Sequence, residues 1–273
     1  MSILFTVFIA FALAGYLFSK PYVLANKRNL IKQKPFKKTW RKIIQRRMPY
    51  FNQMPADLQL QLKQLIQVFI SEKQFIGCNG VIITDEIRVT IAAQACLLLL
   101  NKKTNYYPKL RTILMYPSAF VKQQKHINID GTQSVKGITL AGESWGFGRI
   151  VLSWQDSVAG AEQPNDGHNV VIHEFAHQLD QENGVANGSP ILGKHQDYKT
   201  WSDIFSKQFS LLQQQVNLGQ TSLFDPYGAT NPAEFFAVAS EVFFEQAKSL
   251  SIQYPLLYEQ MSAYYHVDPI HWH

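Results

Sequence analysis

Residues 169–180 read NVVIHEFAHQLD, and few folds can accommodate them. Val170, Val171, Phe175, Ala176 and Leu179 surround His173, Glu174 and His177, so a helix here is apolar on most sides and belongs inside a protein. Histidines four apart return to nearly the same face, about 6 Å further along the axis. Burying two imidazoles without partners is costly, and one metal ion held by both removes that cost. The H-E-x-x-H pattern has a physical logic. Two neutral imidazoles hold Zn²⁺ while the glutamate projects toward an open coordination position, where it takes a proton from water whose pKa falls from about 15.7 toward about 7. His173 and His177 are therefore expected as zinc ligands and Glu174 as the general base. The plain alternative is an amphipathic helix with solvated histidines. Asp180, three residues after His177, either orients a neighbouring group or ends the helix before QENG.

A third ligand has to come from elsewhere. A histidine six residues after His177 would mark one common zinc class, but Asn183 stands there and Gly184 closes the helix. The other common solution is a glutamate from a downstream helix. Residues 227–248, YGATNPAEFFAVASEVFFEQAK, provide one, with Asn231 as N-cap, Pro232 in the first turn and apolar residues nearly all round. Glu234, Glu241 and Glu245 lie on one stripe at i, i+7 and i+11. On physical grounds Glu234 and Glu241 are equal candidates, since Glu234 can also close a capping box on the Asn231 N–H.

The remaining segments frame this pair of helices. GVIITDEIRVTIAAQACLLLL gives a short apolar run, a turn at Thr84 and Asp85 with Asp85 as N-cap, and a long apolar helix to about Leu100. RTILMYP reads as a strand, and GESWGFGRIVLSW as a glycine-interrupted loop followed by a strand at 149–154, whose edge can hold an extended substrate. The expected class is α+β, a small sheet packed on several helices. Cys78 and Cys96 lie in apolar surroundings without zinc-finger spacing, which predicts reduced core thiols in a reducing compartment.

Five of these segments occur in the order of a known family: GVIITDEIRVTIAAQACLLLL, YPKLRTILMYPSAF, GESWGFGRIVLSW, NVVIHEFAHQLD and NPAEFFAVASEVFF. Over roughly residues 50–265 the chain resembles the Mlc titration factor A family of zinc metallopeptidases. The resemblance implies a zincin-like, gluzincin-type core related to the anthrax lethal factor catalytic domain, and aminopeptidase-like activity on peptide substrates. In some members it also implies binding to a sugar-responsive, Mlc-like transcriptional repressor. It makes His173, His177 and Glu234 the zinc ligands, Glu174 the base, and Tyr227 the active-site tyrosine. A phenol O–H aimed at the oxygen of a scissile carbonyl stabilises charge as it develops there.

The charge distribution separates the N-terminus from the rest. Residues 1–56 carry eleven of the 26 Lys and Arg and no acid, leaving 15 basic and 20 acidic residues, a net of −5, for the remainder. Direct nucleic-acid binding is not expected of a body with that balance. Ser2 to Ser19 carry no charge, about 18 residues or roughly 27 Å of helix, close to a bilayer core. All the positive charge follows. The positive-inside rule then predicts a transmembrane anchor at 1–19, a basic juxtamembrane segment at 20–49 and a zinc metallopeptidase domain at 50–273. The expected location is the inner membrane, single-pass with the catalytic domain in the cytoplasm. A cleaved signal peptide and a wholly cytoplasmic protein are the alternatives. The basic stretch from Lys27 to Arg47 would face anionic headgroups, at about 1 kcal/mol per well-placed charge.

Overall fold

A computed structural model describes residues 2–127, 133–140, 142–145 and 148–272. In chain order it forms α1 (Ser2–Lys32), α2 (Lys38–Arg47), α3 (Ala56–Glu72), β1 (Gln74–Gly77), α4 (Asp85–Leu97), β2 (Thr112–Tyr116), β3 (Phe120–Ile127), β4 (Gln133–Leu140), β5 (Gly142–Trp145) and β6 (Arg149–Ser153). It continues with α5 (Trp154–Glu162), α6 (Val170–Asp180), α7 (Tyr198–Asn217), α8 (Pro232–Glu245), α9 (Ala247–Gln253) and α10 (Pro255–Tyr265). One sheet has the order β1-β2-β6-β5, parallel through the first three strands, with β5 antiparallel on its edge. β3 and β4 pair separately as an antiparallel ladder.

The core is built around α4, α6 and α8, whose sequences are too apolar for any surface. In α4 every residue from Val89 to Leu97 is buried, and the helix starts at Thr84, whose hydroxyl accepts from the Ile87 N–H at 3.3 Å. Thr84, not Asp85, is thus the cap. Phe175 of α6 meets Phe69 of α3 and Tyr107 at ring separations of 5.6 and 4.8 Å. On α8, Phe235 and Phe236 pack on Trp201 and Phe205 of α7, while Phe243 and Phe244 pack on Tyr265 of α10. Each such ring contributes roughly 1.5–3 kcal/mol by leaving water. α6 and α8 lie side by side within this core. The strand expected at 149–154 ends at Ser153, because the Ser153 hydroxyl accepts from the Asp156 N–H at 3.2 Å and starts α5. Of the glycine-interrupted loop expected before it, Gly142–Trp145 form β5 and residues 146 and 147 lie outside those described; β6 is paired by β2 on one side and β5 on the other, so the edge expected at 149–154 is already taken. Both cysteines are free, Cys96 buried and Cys78 half-buried.

Two expectations are corrected here. The chain is mostly helical, with a small, largely parallel sheet and a separate two-stranded ladder, where an α+β balance was expected. The physical reason is that the apolar runs of α4, α6 and α8 fold as buried helices, while the parallel strands are only 4 to 5 residues long. Among the described residues no helix is long and apolar enough to cross a membrane. This overturns the transmembrane anchor at 1–19 and the single-pass inner-membrane location built on it.

Part of the basic segment finds acidic partners within the protein. Arg28 makes two hydrogen bonds to Glu72, at 2.8 and 2.9 Å, and stacks 4.6 Å from the Tyr106 ring centroid. Arg46 and Arg47 both bond Glu86, and Arg47 also bonds Glu162. Trp40 of α2 is buried and donates to Asp85 at 2.7 Å. A local count of charge registers none of these, because each acid lies 39 to 115 residues away.

Candidate metal centre

Asn169 sets the start of α6. Its side-chain oxygen accepts from the N–H groups of Val171 and Ile172, at 3.1 and 3.0 Å, which places His173 one turn in and His177 two turns in. Asn231 does the same for α8, accepting from Ala233 and Glu234 at 3.0 and 3.1 Å. The capping-box alternative for Glu234 is not what the carboxylate does. Its Oε2 instead lies 3.0 Å from His173 Nε2 and 3.1 Å from His177 Nε2, and the two imidazole nitrogens are 3.2 Å apart. Among the described residues these three form the one group placed to hold a metal ion.

The donor set fits a divalent cation. Glu241 Oε1 accepts from His173 Nδ1 at 2.7 Å, so in the neutral ring Nε2 is left with its lone pair. That lone pair converges with His177 Nε2 and an anionic oxygen. The separations of 3.0 to 3.2 Å lie close to the roughly 3.3 Å edge of a tetrahedron whose centre is 2.0–2.1 Å from each ligand atom. Electrostatics points the same way. Burial pulls the His173 imidazole down, but the Glu241 and Glu234 carboxylates outweigh it and hold its pKa well above the usual value. Burial raises Glu234, yet hydrogen bonds from His173 and His177 bring its pKa down to about 2. The cluster demands positive charge, which a metal supplies in place of protons.

Glu174 is not one of the three converging donors. It is 4% exposed, and its Oε2 has no hydrogen-bond partner among the described residues. Burial pushes its pKa up to about 7, with His173 and His177 pulling the other way. A buried carboxyl oxygen without a hydrogen-bond partner is unusual and calls for an explanation. Tyr227, 53% exposed, has its ring 6.0 Å from that of His173. It sits in a short 3₁₀ turn whose N–H groups are held by Asp225, with the Tyr227 N–H donating to Oδ1 at 2.6 Å.

The loop after α6 fixes the start of α8. Asp180 is fully buried and accepts from the Gly188 N–H at 2.7 Å, while the Gly188 carbonyl accepts from Trp201 Nε1 at 3.0 Å. Gly188 has φ +75°, and a Cβ there would lie 2.4 Å from the Pro232 carbonyl oxygen, two residues before Glu234. Gly188→Ala should therefore destabilise the fold by about 1–3 kcal/mol and weaken metal binding by displacing Glu234. Thermal denaturation and a zinc titration check this, and an unchanged Tm would contradict it.

Sequence reasoning missed Asn169, Gly188 and the placing of Glu245. Asn169 carried a usable signal, an N-cap residue type directly before an apolar helix. Gly188 and Glu245 carried none, since the close approach of Gly188 to Pro232 and the bonds of Glu245 to Gly167 and Asn169 join residues 44 to 78 positions apart.

Comparison with known proteins agrees with this geometry. Residues 23–266 match the family described as glucose-regulated metallo-peptidase M90. An uncharacterized protein of Synechocystis sp. is 40% identical over 263 residues, 96% of each chain. The Mlc titration factor A of Serratia proteamaculans is 31% identical over 204 residues, 74% of this chain and 77% of the relative. That of Salmonella arizonae is 29% identical over 225 residues, 81% of this chain and 88% of the relative. With a matched region that spans both helices of the candidate metal centre, the chain belongs to the glucose-regulated metallo-peptidase M90 family.

Proposed function

We propose that the chain is a zinc-dependent, aminopeptidase-like hydrolase of peptide or aminoacyl amide bonds, with His173, His177 and Glu234 holding the metal. The observation that carries this reading is the unpaired Oε2 of buried Glu174 beside a three-donor cluster that demands positive charge. A purely structural metal site closes all its positions and has no use for such a carboxyl.

When bound, zinc supplies a Lewis acid and lowers the pKa of coordinated water from about 15.7 to about 7. Glu174 takes the proton of the attacking water at Oε2 and passes it to the leaving amine. Its depth in the fold keeps bulk water from competing for that proton. Glu241 holds His173 by its Nδ1–H, and Tyr227 donates its phenol O–H to the carbonyl oxygen as negative charge forms there. An extended substrate adds to the outer edge of β5, the last strand of its sheet among the described residues, which lies against α6.

The test is metal analysis of the purified chain together with hydrolysis of a panel of aminoacyl and peptidyl reporters, with and without a chelator. About one zinc per chain and chelator-sensitive cleavage are expected, and cleavage indifferent to the chelator would sink the reading. Tyr227→Phe should keep the metal and lose activity mainly in kcat, because the phenol acts on the transition state. A loss confined to KM would assign Tyr227 to substrate binding instead.

The name of the Serratia and Salmonella relatives, Mlc titration factor A, supports a second reading, in which the chain sequesters an Mlc-like transcriptional repressor. Glu174→Gln separates the two, since binding of a repressor would survive the loss of a general base.

A further inference from the structure

We propose that Asn169 and Glu245 are positioning residues for the metal centre, fixing the His173 imidazole by way of Glu241. The inference rests on the reading of His173 as a metal ligand.

The chain of contacts is continuous. Glu245 Oε1 accepts from Asn169 Nδ2 at 3.0 Å, the Asn169 backbone N–H donates to Glu241 Oε2 at 2.5 Å, and Glu241 Oε1 accepts from His173 Nδ1 at 2.7 Å. The His173 N–H also donates to the Asn169 carbonyl at 2.9 Å, so Asn169 reaches the ligand through both the backbone and a carboxylate. A carboxylate bonded on one oxygen only would be free to swing. Glu241 is held on both.

Asn169 does more than a cap requires. Capping uses its oxygen alone. Its amide N–H₂ bridges two other elements, donating to the Gly160 carbonyl of α5 at 3.0 Å and to Glu245 of α8. α5 approaches so closely that a Cβ on Gly160 would lie 2.9 Å from Asn169 Cγ. Glu245 is itself anchored, buried at 4% exposure with its Oε2 accepting from the Gly167 N–H at 3.1 Å. Burial, with the Asp166 and Glu241 carboxylates nearby, pushes its pKa up to about 9. Three helices thereby share one asparagine. Its displacement moves the first turn of α6 and releases Glu241 together.

The experiment compares wild type with Glu245→Met, Glu245→Gln and Asn169→Ser by two readouts. One is zinc affinity by competition with a chelating dye; the other is the His173 Nδ1–H proton resonance in the metal-free protein. Serine keeps the cap through its hydroxyl and loses the amide bridge. Wild type should show a slowly exchanging Nδ1–H. Glu245→Met and Asn169→Ser should lose that resonance to solvent exchange and bind zinc about tenfold or more weakly, as expected when the partner of a ligand histidine is released. Glu245→Gln keeps an oxygen for Asn169 and should lose less than Glu245→Met on both counts. An unchanged resonance and affinity in Asn169→Ser would overturn the proposal, and that variant carries the test even where Glu245→Met fails to fold. Absence of stoichiometric zinc in wild type would instead overturn the metal reading, while the resonance in the metal-free protein still decides whether Asn169 and Glu245 position His173.

Discussion

Glu174→Gln is expected to leave zinc bound at about one per chain and to lower hydrolysis at least roughly a hundredfold. The glutamine has the shape of the carboxyl it replaces, and Glu174 is not among the three donors that converge at 3.0 to 3.2 Å, so the affinity should stay within a few-fold. An amide cannot take a proton from water at neutral pH, and a positioned general base contributes about 10²–10⁴ in rate. Because the carboxyl is buried with an unpaired oxygen, a neutral side chain costs the fold little there. The loss should therefore fall on kcat, with the melting temperature kept or raised. A variant that hydrolyses at the wild-type rate would remove Glu174 from the mechanism.

The other large effect separates two glutamates on one helix. Glu234→Ala removes the oxygen that faces both imidazole nitrogens, and with it the only anionic member of the donor set. Zinc affinity should fall by well over the roughly 100-fold that marks the upper end for an outer partner, and activity should vanish. Glu241→Ala removes the acceptor of His173 Nδ1–H and leaves the Asn169 N–H without its bond. Affinity and activity should then fall about 10- to 100-fold. Competition with a chelating dye at fixed pH measures both. Should Glu241→Ala prove the metal-free variant while Glu234→Ala keeps its zinc, the two roles would have to be exchanged.

By itself the sequence determined what depends on neighbours along the chain. The four-residue spacing of His173 and His177 put both imidazoles on one helix face, and Asn231 with Pro232 marked the start of α8. The apolar composition of both helices required burial, and five motifs in order identified the family. These follow from helical geometry and capping, which act within about one turn.

Tertiary structure decided everything that turns on where one element crosses another. Glu234 and Glu241 lie two turns apart on the same stripe, and only the crossing of α6 and α8 brings Glu234 to the Nε2 side of His173 and Glu241 to its Nδ1 side. The basic N-terminal segment looked unpaired because its acids, Glu72, Glu86 and Glu162, are remote in sequence. Opposite charges meet through folding, so a run of lysine and arginine has no fixed partner until the chain is compact. For the same reason the expected α+β balance gave way to a mostly helical body, in which the apolar runs of α4, α6 and α8 bury one another, and the expected anchor gave way to described helices of which none is long and apolar enough to cross a membrane.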